Sequence, residues 1–328
     1  MFFRFPALLS LALCLGACGN SSDGGILELR VGTVNAPGSL ISVTAGEFAS
    51  RANEKLIGRV HVTIFGSSQL GTDEIMLQKL KLGTLDFAVP STVMSSEVAE
   101  FGLFDMPYLI DDREHMRRVG DEIFWPMIAP KAEAKGYKVV GLWENGFRHI
   151  SNNTRAIHKP EDLAGIKLRT PSGEWRIKLF QVFRANPTPM PLSEVFIALQ
   201  TGVIDGQENP LAQLTSLRLY EVQKYLSLTG HVYSPSYLLA GLDRWNRLPE
   251  DVRRTLEQTG REMQDFVYAE AERMDRELLE QLRASKMEIN EADRDLFFAA
   301  SRPIYDAFSQ TVEGGGDMVD AAIRLRKR

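Results

Sequence analysis

Cysteine is nearly absent: the 328 residues contain two, Cys14 and Cys18, both in the N-terminal leader. The rest of the chain therefore has no thiol for a disulfide, a thiolate nucleophile or a Cys-ligated metal. Long apolar runs are scarce too. Nothing after the first seventeen residues approaches the roughly 20 apolar residues that cross a bilayer, which excludes an integral membrane protein. Basic charge is not in excess, with 38 Lys plus Arg against 43 Asp plus Glu and a net of −5 spread along the chain. No basic stripe is present to displace phosphate counterions, so nucleic acid is not an expected partner. Catalytic motifs are missing as well. His61, His115, His149, His158 and His231 form no H-E-x-x-H pair, and neither a Walker phosphate loop nor a G-x-G-x-x-G occurs. The run Gly66-Ser67-Ser68-Gln69-Leu70-Gly71 has only a superficial likeness to a nucleophile elbow. No metal or cofactor is implied, although an acid–base pair assembled from distant positions stays open.

The first seventeen residues carry one charge, Arg4, ahead of the apolar run Ala7–Leu15, and read as a secretory signal peptide. Leu15-Gly16-Ala17-Cys18 resembles a lipobox, in which Cys18 is acylated and becomes the mature N-terminus. Cleavage after Ala17 without a lipid is the alternative. Residues 20–25, Asn-Ser-Ser-Asp-Gly-Gly, form a flexible polar leash. An exported, acidic domain without cysteine fits a bacterial periplasm, and a chain of this length can build two packed lobes without disulfides.

From Leu27 onward, strand and helix patterns alternate. Leu27–Val34, Val60–Phe65 and Leu85–Val89 read as strands, with helices over Ile41–Lys55 and Thr72–Lys81 between them. That order predicts a mostly parallel sheet, with ligands beyond the carboxyl ends of its strands near residues 35–39, 66–71 and 90–95. The pattern restarts with strands at Tyr137–Trp143, Phe147–Ser151 and Ile166–Arg169 and helices over Gly173–Phe183 and Leu192–Gln200. Two runs of one architecture predict two lobes. Asp111-Asp112 reads as a helix cap. Residues 249–286 are nearly continuous helix formers, either one long helix or two broken near Thr259-Gly260.

Three stretches stand out: Trp143–His149 (WENGFRH), Leu168–Gly173 (LRTPSG) and Ala198–Pro210 (ALQTGVIDGQENP). Arg169 closes a strand, and Pro171 stiffens the exit, which aims a guanidinium at the crevice. Its planar fork suits a carboxylate, although an arginine at a strand end also fits a surface ion pair.

These stretches, with Ser68-Gln69-Leu70-Gly71, Pro187–Met190 and Ser193-Glu194-Val195, resemble the substrate-binding proteins of tripartite ATP-independent periplasmic (TRAP) transporters, the DctP-type family, over residues 27–310. The resemblance implies an α/β, two-lobe periplasmic binding protein fold with crossing strands and a long helix spanning both lobes. It divides the chain into a leader at 1–25, one lobe at 26–146 plus 235–273, and a second at 147–234 plus 274–328. Hinges are expected near Asn145-Gly146 and Ser234-Pro235. By position, Arg169 matches the carboxylate-gripping arginine, Asn209 the amide that assists it, and Arg148 a second basic residue. Ser172, His231, Asn35, Ser91 and Trp175 fall at positions expected to line the cleft. His231 also reads as a structural histidine, Arg148 as the partner of a protein carboxylate and Trp175 as a core residue. Ser91 and Met94 stand where the sialic-acid binders carry charged groups, which argues against sialic acid. A hydroxy or keto acid, a dicarboxylate and a sugar acid stay open, with small and large membrane subunits as the expected partners. The alternatives are a periplasmic enzyme acting on a small carboxylate and a binding protein that feeds a sensor.

Overall fold

The computed structural model describes residues 25–326; the leader with Cys18, and Lys327-Arg328, lie outside the described residues. The strands are β1 (Leu27–Gly32), β2 (Val60–Phe65), β3 (Phe87–Ala88), β4 (Tyr137–Phe147), β5 (His149–Asn152), β6 (Lys167–Thr170), β7 (Asn186–Pro189), β8 (Gly206–Asn209), β9 (Tyr225–Leu228), β10 (Tyr233–Gly241) and β11 (Glu288–Glu291). They form two sheets, ordered β2-β1-β3-β10-β4 and β11-β9-β5-β8-β6-β7.

In β2, the alternation Val60-His61-Val62 buries both valines and exposes His61, as a sheet with one solvated face requires. Ser39 caps the helix Leu40–Lys55 by accepting from the Ser42 amide, and Ile41, Ala45, Phe48 and Ala52 form its buried stripe. Thr72 and Asp112 cap the helices Asp73–Lys81 and Arg113–Val119 in the same way. The segment Leu192–Gln200 is less regular than its pattern predicts, with a 3-10 turn at Leu192–Glu194 before the helix Val195–Gln200.

The expected parallel pairing holds for β2-β1-β3 and for β7-β6-β8, but both sheets are mixed. The chain crosses between them at two places, and each crossing brings a strand in antiparallel. β4 leads into β5 of the other sheet with only Arg148 between, and the return runs through Thr229–Val232 into β10. β10 lies antiparallel between β3 and β4. Its register against β4 shifts at Ser234/Pro235, where Gly146 and Glu144 face consecutive residues and Asn145 bulges out. Gly146 sits there at φ +127°, a conformation open to glycine.

The helices Glu250–Glu262 and Gln264–Arg283 meet at Met263, whose backbone stays in the helical region. The run is about 50 Å long at 1.5 Å per residue, interrupted at one residue rather than broken at Gly260. Its first part packs on β4 and on the helix Leu40–Lys55. Its second part packs on the helix Leu211–Ser216 next to β8, so it spans both lobes. Just before the interruption, the Gly260 carbonyl accepts a 2.9 Å hydrogen bond from the Trp143 indole. A Cβ at Gly260 would lie 2.5 Å from the Val140 carbonyl oxygen, on the backbone of β4. Gly260→Ala should therefore destabilise the protein by about 1–3 kcal/mol in urea unfolding. This outweighs the gain of about 1 kcal/mol that alanine brings to an open helical site. After β11, the helix Arg302–Thr311 packs on Glu174–Val182, and the helix Gly315–Arg324 returns to residues 99–105 and 120–128.

Candidate functional site

A small cavity lies at the carboxyl ends of β1, β3, β6 and β8, where the two sheets face each other. Asn35 follows β1, Ser91 and Thr92 follow β3, and Asn145 and Arg148 come from the crossing strand. Arg169 lies in β6, Asn209 ends β8, and Gln213 lies on the helix after it. The loops at 35–39 and 90–95 reach the cavity as expected. The third approach is made by Asp73, two residues beyond the loop at 66–71. The cavity measures about 40 Å³, room for only a few waters. A solute can enter only if the walls part.

Arg169 is 4% exposed. Its Nε and Nη2 donate to the Met190 carbonyl at 3.0 and 2.7 Å. No carboxylate within ion-pair distance and no partner for Nη1 is found among the described residues. Burial, and then the charge of Arg148, lower its pKa to about 10, with Glu208 and Asp73 pulling the other way. A cationic fork at neutral pH is thus held in place by a backbone oxygen, with one edge free.

Beneath it lies a buried charge network. Arg148 grips Glu208 in a forked pair, Nε–Oε2 at 2.5 Å and Nη2–Oε1 at 2.9 Å, and also donates to the Glu208 carbonyl and to Asn209 Oδ1. Arg176 joins the same carboxylate at 2.7 Å and reaches Asp105, from the opposite lobe, at 2.8 Å. Despite the penalty of burial, Arg148 and Arg176 hold Glu208 well below the ordinary carboxylate range. Arg148 is therefore the partner of a protein carboxylate, as its alternative reading allowed. It also lines the cavity, and its Nη1 has no partner among the described residues.

Asn209 is tied down on both sides, accepting from Arg148 and donating to Gln207 Oε1 at 2.5 Å. Asn35 donates to Thr33 at 2.8 Å and accepts from Gln213. Ser91 donates to the Pro235 carbonyl at 2.6 Å and accepts from Asn145 at 3.2 Å. These five residues, Arg169, Arg148, Asn209, Asn35 and Ser91, meet in the cavity wall.

Ser172, His231 and Trp175 do not line it. The Ser172 carbonyl accepts from Ser96 across the lobes. His231 is fully buried between Thr229 Oγ1 at 2.7 Å and Glu208 Oε2 at 3.2 Å, with burial lowering its pKa. Trp175 packs edge-on against Phe308 in the core. The resemblance put all three at the cleft, whereas the His231 ring and the Trp175 indole are packed in buried layers away from the cavity lining.

Sequence reasoning missed Gln213, Asp73, Glu208 and Arg176. Gln213 reaches from the second lobe to Asn35 and to Asn145 Oδ1 at 3.3 Å, which joins the lobes directly. Only its place three residues after Pro210 could have pointed to it.

Asp73 has an unpartnered, sealed Oδ1. Burial, and then Glu74, raise its pKa to about 7, with Arg169 opposing. An acid whose folded pKa lies above its unfolded value loses stability as pH climbs through that interval, here from about 4 to 7. Three pH units correspond to about 4 kcal/mol. For a partly exposed group, solvent screening cuts this to about 1–2 kcal/mol. Asp73→Asn should therefore stabilise the protein by that amount at pH 8 and have little effect at pH 4. Urea titrations at the two pH values test this, and a difference independent of pH would refute it.

Two α/β lobes linked by crossing strands and closed over a buried, unclaimed arginine are the layout of a solute-binding protein. The profile of bacterial extracellular solute-binding protein family 7 (DctP) matches residues 31–311, and the chain belongs to that family. A solute-binding protein of Verminephrobacter eiseniae is 34% identical over 284 residues, covering 86% of this chain and 85% of the relative. A Bordetella TRAP periplasmic solute-binding protein, with density interpreted as pantoate, superposes with TM-score 0.87. It shares 33% identity and covers 92% of this chain and 100% of its own. The sugar acid binding protein DctPAm of Advenella mimigardefordensis, in complex with galactonate, gives TM-score 0.88 at 31% identity, covering 93% and 100%. No helix among the described residues is long and apolar enough to cross a membrane.

Proposed function

We propose that this chain is the extracytoplasmic receptor of a TRAP transporter, which captures a small organic acid between its lobes and delivers it to the small and large membrane subunits. The observation that carries this reading is Arg169: a buried guanidinium facing an inter-lobe cavity, with no ion-pair partner among the described residues. A cation buried without a countercharge is costly, and an incoming carboxylate repays that cost. The bound acids of the Bordetella and Advenella relatives are of the same chemical kind.

In this reading Arg169 and Arg148 hold the carboxylate, Asn209 keeps Arg148 aimed, and Asn35 and Ser91 close the first-lobe side. Ser172, His231 and Trp175 support that wall from behind. The lobes in this reading are residues 26–146 plus 235–273 and 147–234 plus 274–328, with the C-terminal helix Gly315–Arg324 of the last segment reaching back onto the first lobe, and they pivot near Asn145-Gly146 and Ser234-Pro235. Closure is driven by the difference between the contacts the acid makes with one lobe and those it makes with both. The protein works in the periplasm, exported by its leader, with Cys18 as the site of a lipid anchor. It binds its ligand without turnover. A thermal-shift screen against carboxylic acids tests the reading, since a ligand that binds only the folded state raises the melting temperature. A panel of mono- and dicarboxylates that produces no shift would overturn it.

A further inference from the structure

Building on the acid-receptor reading, we infer that the site selects a short hydroxylated monocarboxylate and rejects dicarboxylates, through Asp73 Oδ1 and Gln213 Oε1. Both Asp73 and Gln213 line the cavity, and both of these oxygens are buried without a hydrogen-bond partner. Each is an acceptor, Asp73 when ionised and Gln213 as its amide carbonyl.

The free donors lie elsewhere. Among the described residues, Nη1 of Arg148 and Nη1 of Arg169 are the unpaired cationic N–H groups of the wall, and both come from the crossing strand and second-lobe side. The wall therefore offers free cationic donors and bare acceptors on separate side chains. A carboxylate satisfies the donors. The acceptors call for a hydroxyl hydrogen, because leaving buried acceptors unpaired costs more than an average hydrogen bond gains. Asp73 and Arg169 line the same cavity of about 40 Å³, so the hydroxyl belongs close to the carboxylate, and a 2-hydroxy acid is the simplest ligand of that form.

A second carboxylate would meet the wrong chemistry. Asn35, Asn145 and Ser91 are already bonded to one another, to Thr33, to Gln213 or to the backbone, and no first-lobe cation lines the cavity. The remaining first-lobe wall is Val34, Ile41, Val89 and Val93, which suit an aliphatic body, together with Thr92, whose buried Oγ1 has no partner and is a neutral hydroxyl rather than a countercharge. A second negative charge there would face Asp73 with no compensation.

Calorimetry at pH 8 with three matched acids tests the assignment. 2-Hydroxybutyrate carries one carboxylate and one hydroxyl; malate replaces its methyl by a carboxylate; butyrate lacks the hydroxyl. The protein should bind 2-hydroxybutyrate at least about tenfold more tightly than either of the others. Asp73→Asn, checked for cooperative melting, should narrow the gap to malate by about tenfold. Malate binding as tightly as 2-hydroxybutyrate overturns the inference and leaves the acid-receptor reading standing. A ratio unchanged in Asp73→Asn removes Asp73 from the selection. Failure of all three acids, together with pantoate and galactonate, overturns the acid-receptor reading itself.

Discussion

Arg169→Ala is expected to weaken acid binding by about 2–5 kcal/mol, roughly 30- to several-thousandfold, while the protein stays folded. The effect is large because the guanidinium is almost fully buried and its free edge faces the cavity. Without it the ligand carboxylate keeps Nη1 of Arg148 as the free cationic donor among the described residues of the wall. The fold should survive, since Arg169 leans on the Met190 carbonyl rather than on a carboxylate that its loss would strand. Removing a cation whose pKa burial has already lowered should leave the unliganded melting temperature unchanged or slightly raised. Arg169→Lys keeps the charge but not the planar fork, and should recover only part of the affinity. Calorimetry paired with thermal melting reads both effects. Unchanged affinity in Arg169→Ala would take this side chain out of the site.

Glu208→Ala should do the opposite, damaging stability first. The carboxylate anchors Arg148 and Arg176 and accepts from His231, all of them buried. Its removal leaves those two guanidiniums, with Arg169 close by, facing Asp105 as the remaining paired acid of the cluster. Breaking a buried ion pair from one side costs about 3–5 kcal/mol, a large share of a typical folding free energy. The pH dependence has a definite sign. A carboxylate held below its unfolded pKa contributes fully above that value, near 4.5, and loses its contribution progressively as pH falls from there through the folded pKa. Urea unfolding of the wild type should thus show this contribution intact from pH 5 upward, and Glu208→Ala should lack it. A loss under 1 kcal/mol at pH 7 would contradict an ionised anchor.

The parts of the fold that rest on local pattern were legible in the sequence. The buried stripe of Leu40–Lys55, the strand at Val60–Phe65 and the cap at Asp112 are read from neighbours within one or two turns, whereas Thr72, expected inside its helix, caps it. The place of Arg169 at a strand end ahead of a proline was legible, but that placing also fitted a surface ion pair, and only the resemblance to the TRAP family supplied the carboxylate-gripping role. The charge network was not. Its partners stand 60, 32 and 71 residues apart, and nothing in Glu174-Trp175-Arg176 distinguishes a buried arginine from one on a helix surface. Arg148 illustrates the difficulty: its position gives the basic charge, but its forked pairing with Glu208 exists only once β4 and β8 meet. His231 and Trp175 lie close to the right place, with their side chains in the layer behind the wall. The Gly260 contact was hidden for the same reason. A glycine in a helix reads as a break until the strand lying against it is known.

The strand order of the first sheet has a consequence for biosynthesis. β4 joins that sheet only through β10, which is wedged between it and β3 and lies about ninety residues later in the chain. While the polypeptide emerges from N to C, β4 has no ladder to enter until residue 241 has appeared. The half of the molecule begun first is therefore sealed by a piece made late, and native-like closure is postponed. Contacts so distant in sequence form slowly, so completion of this sheet waits on the later part of the chain.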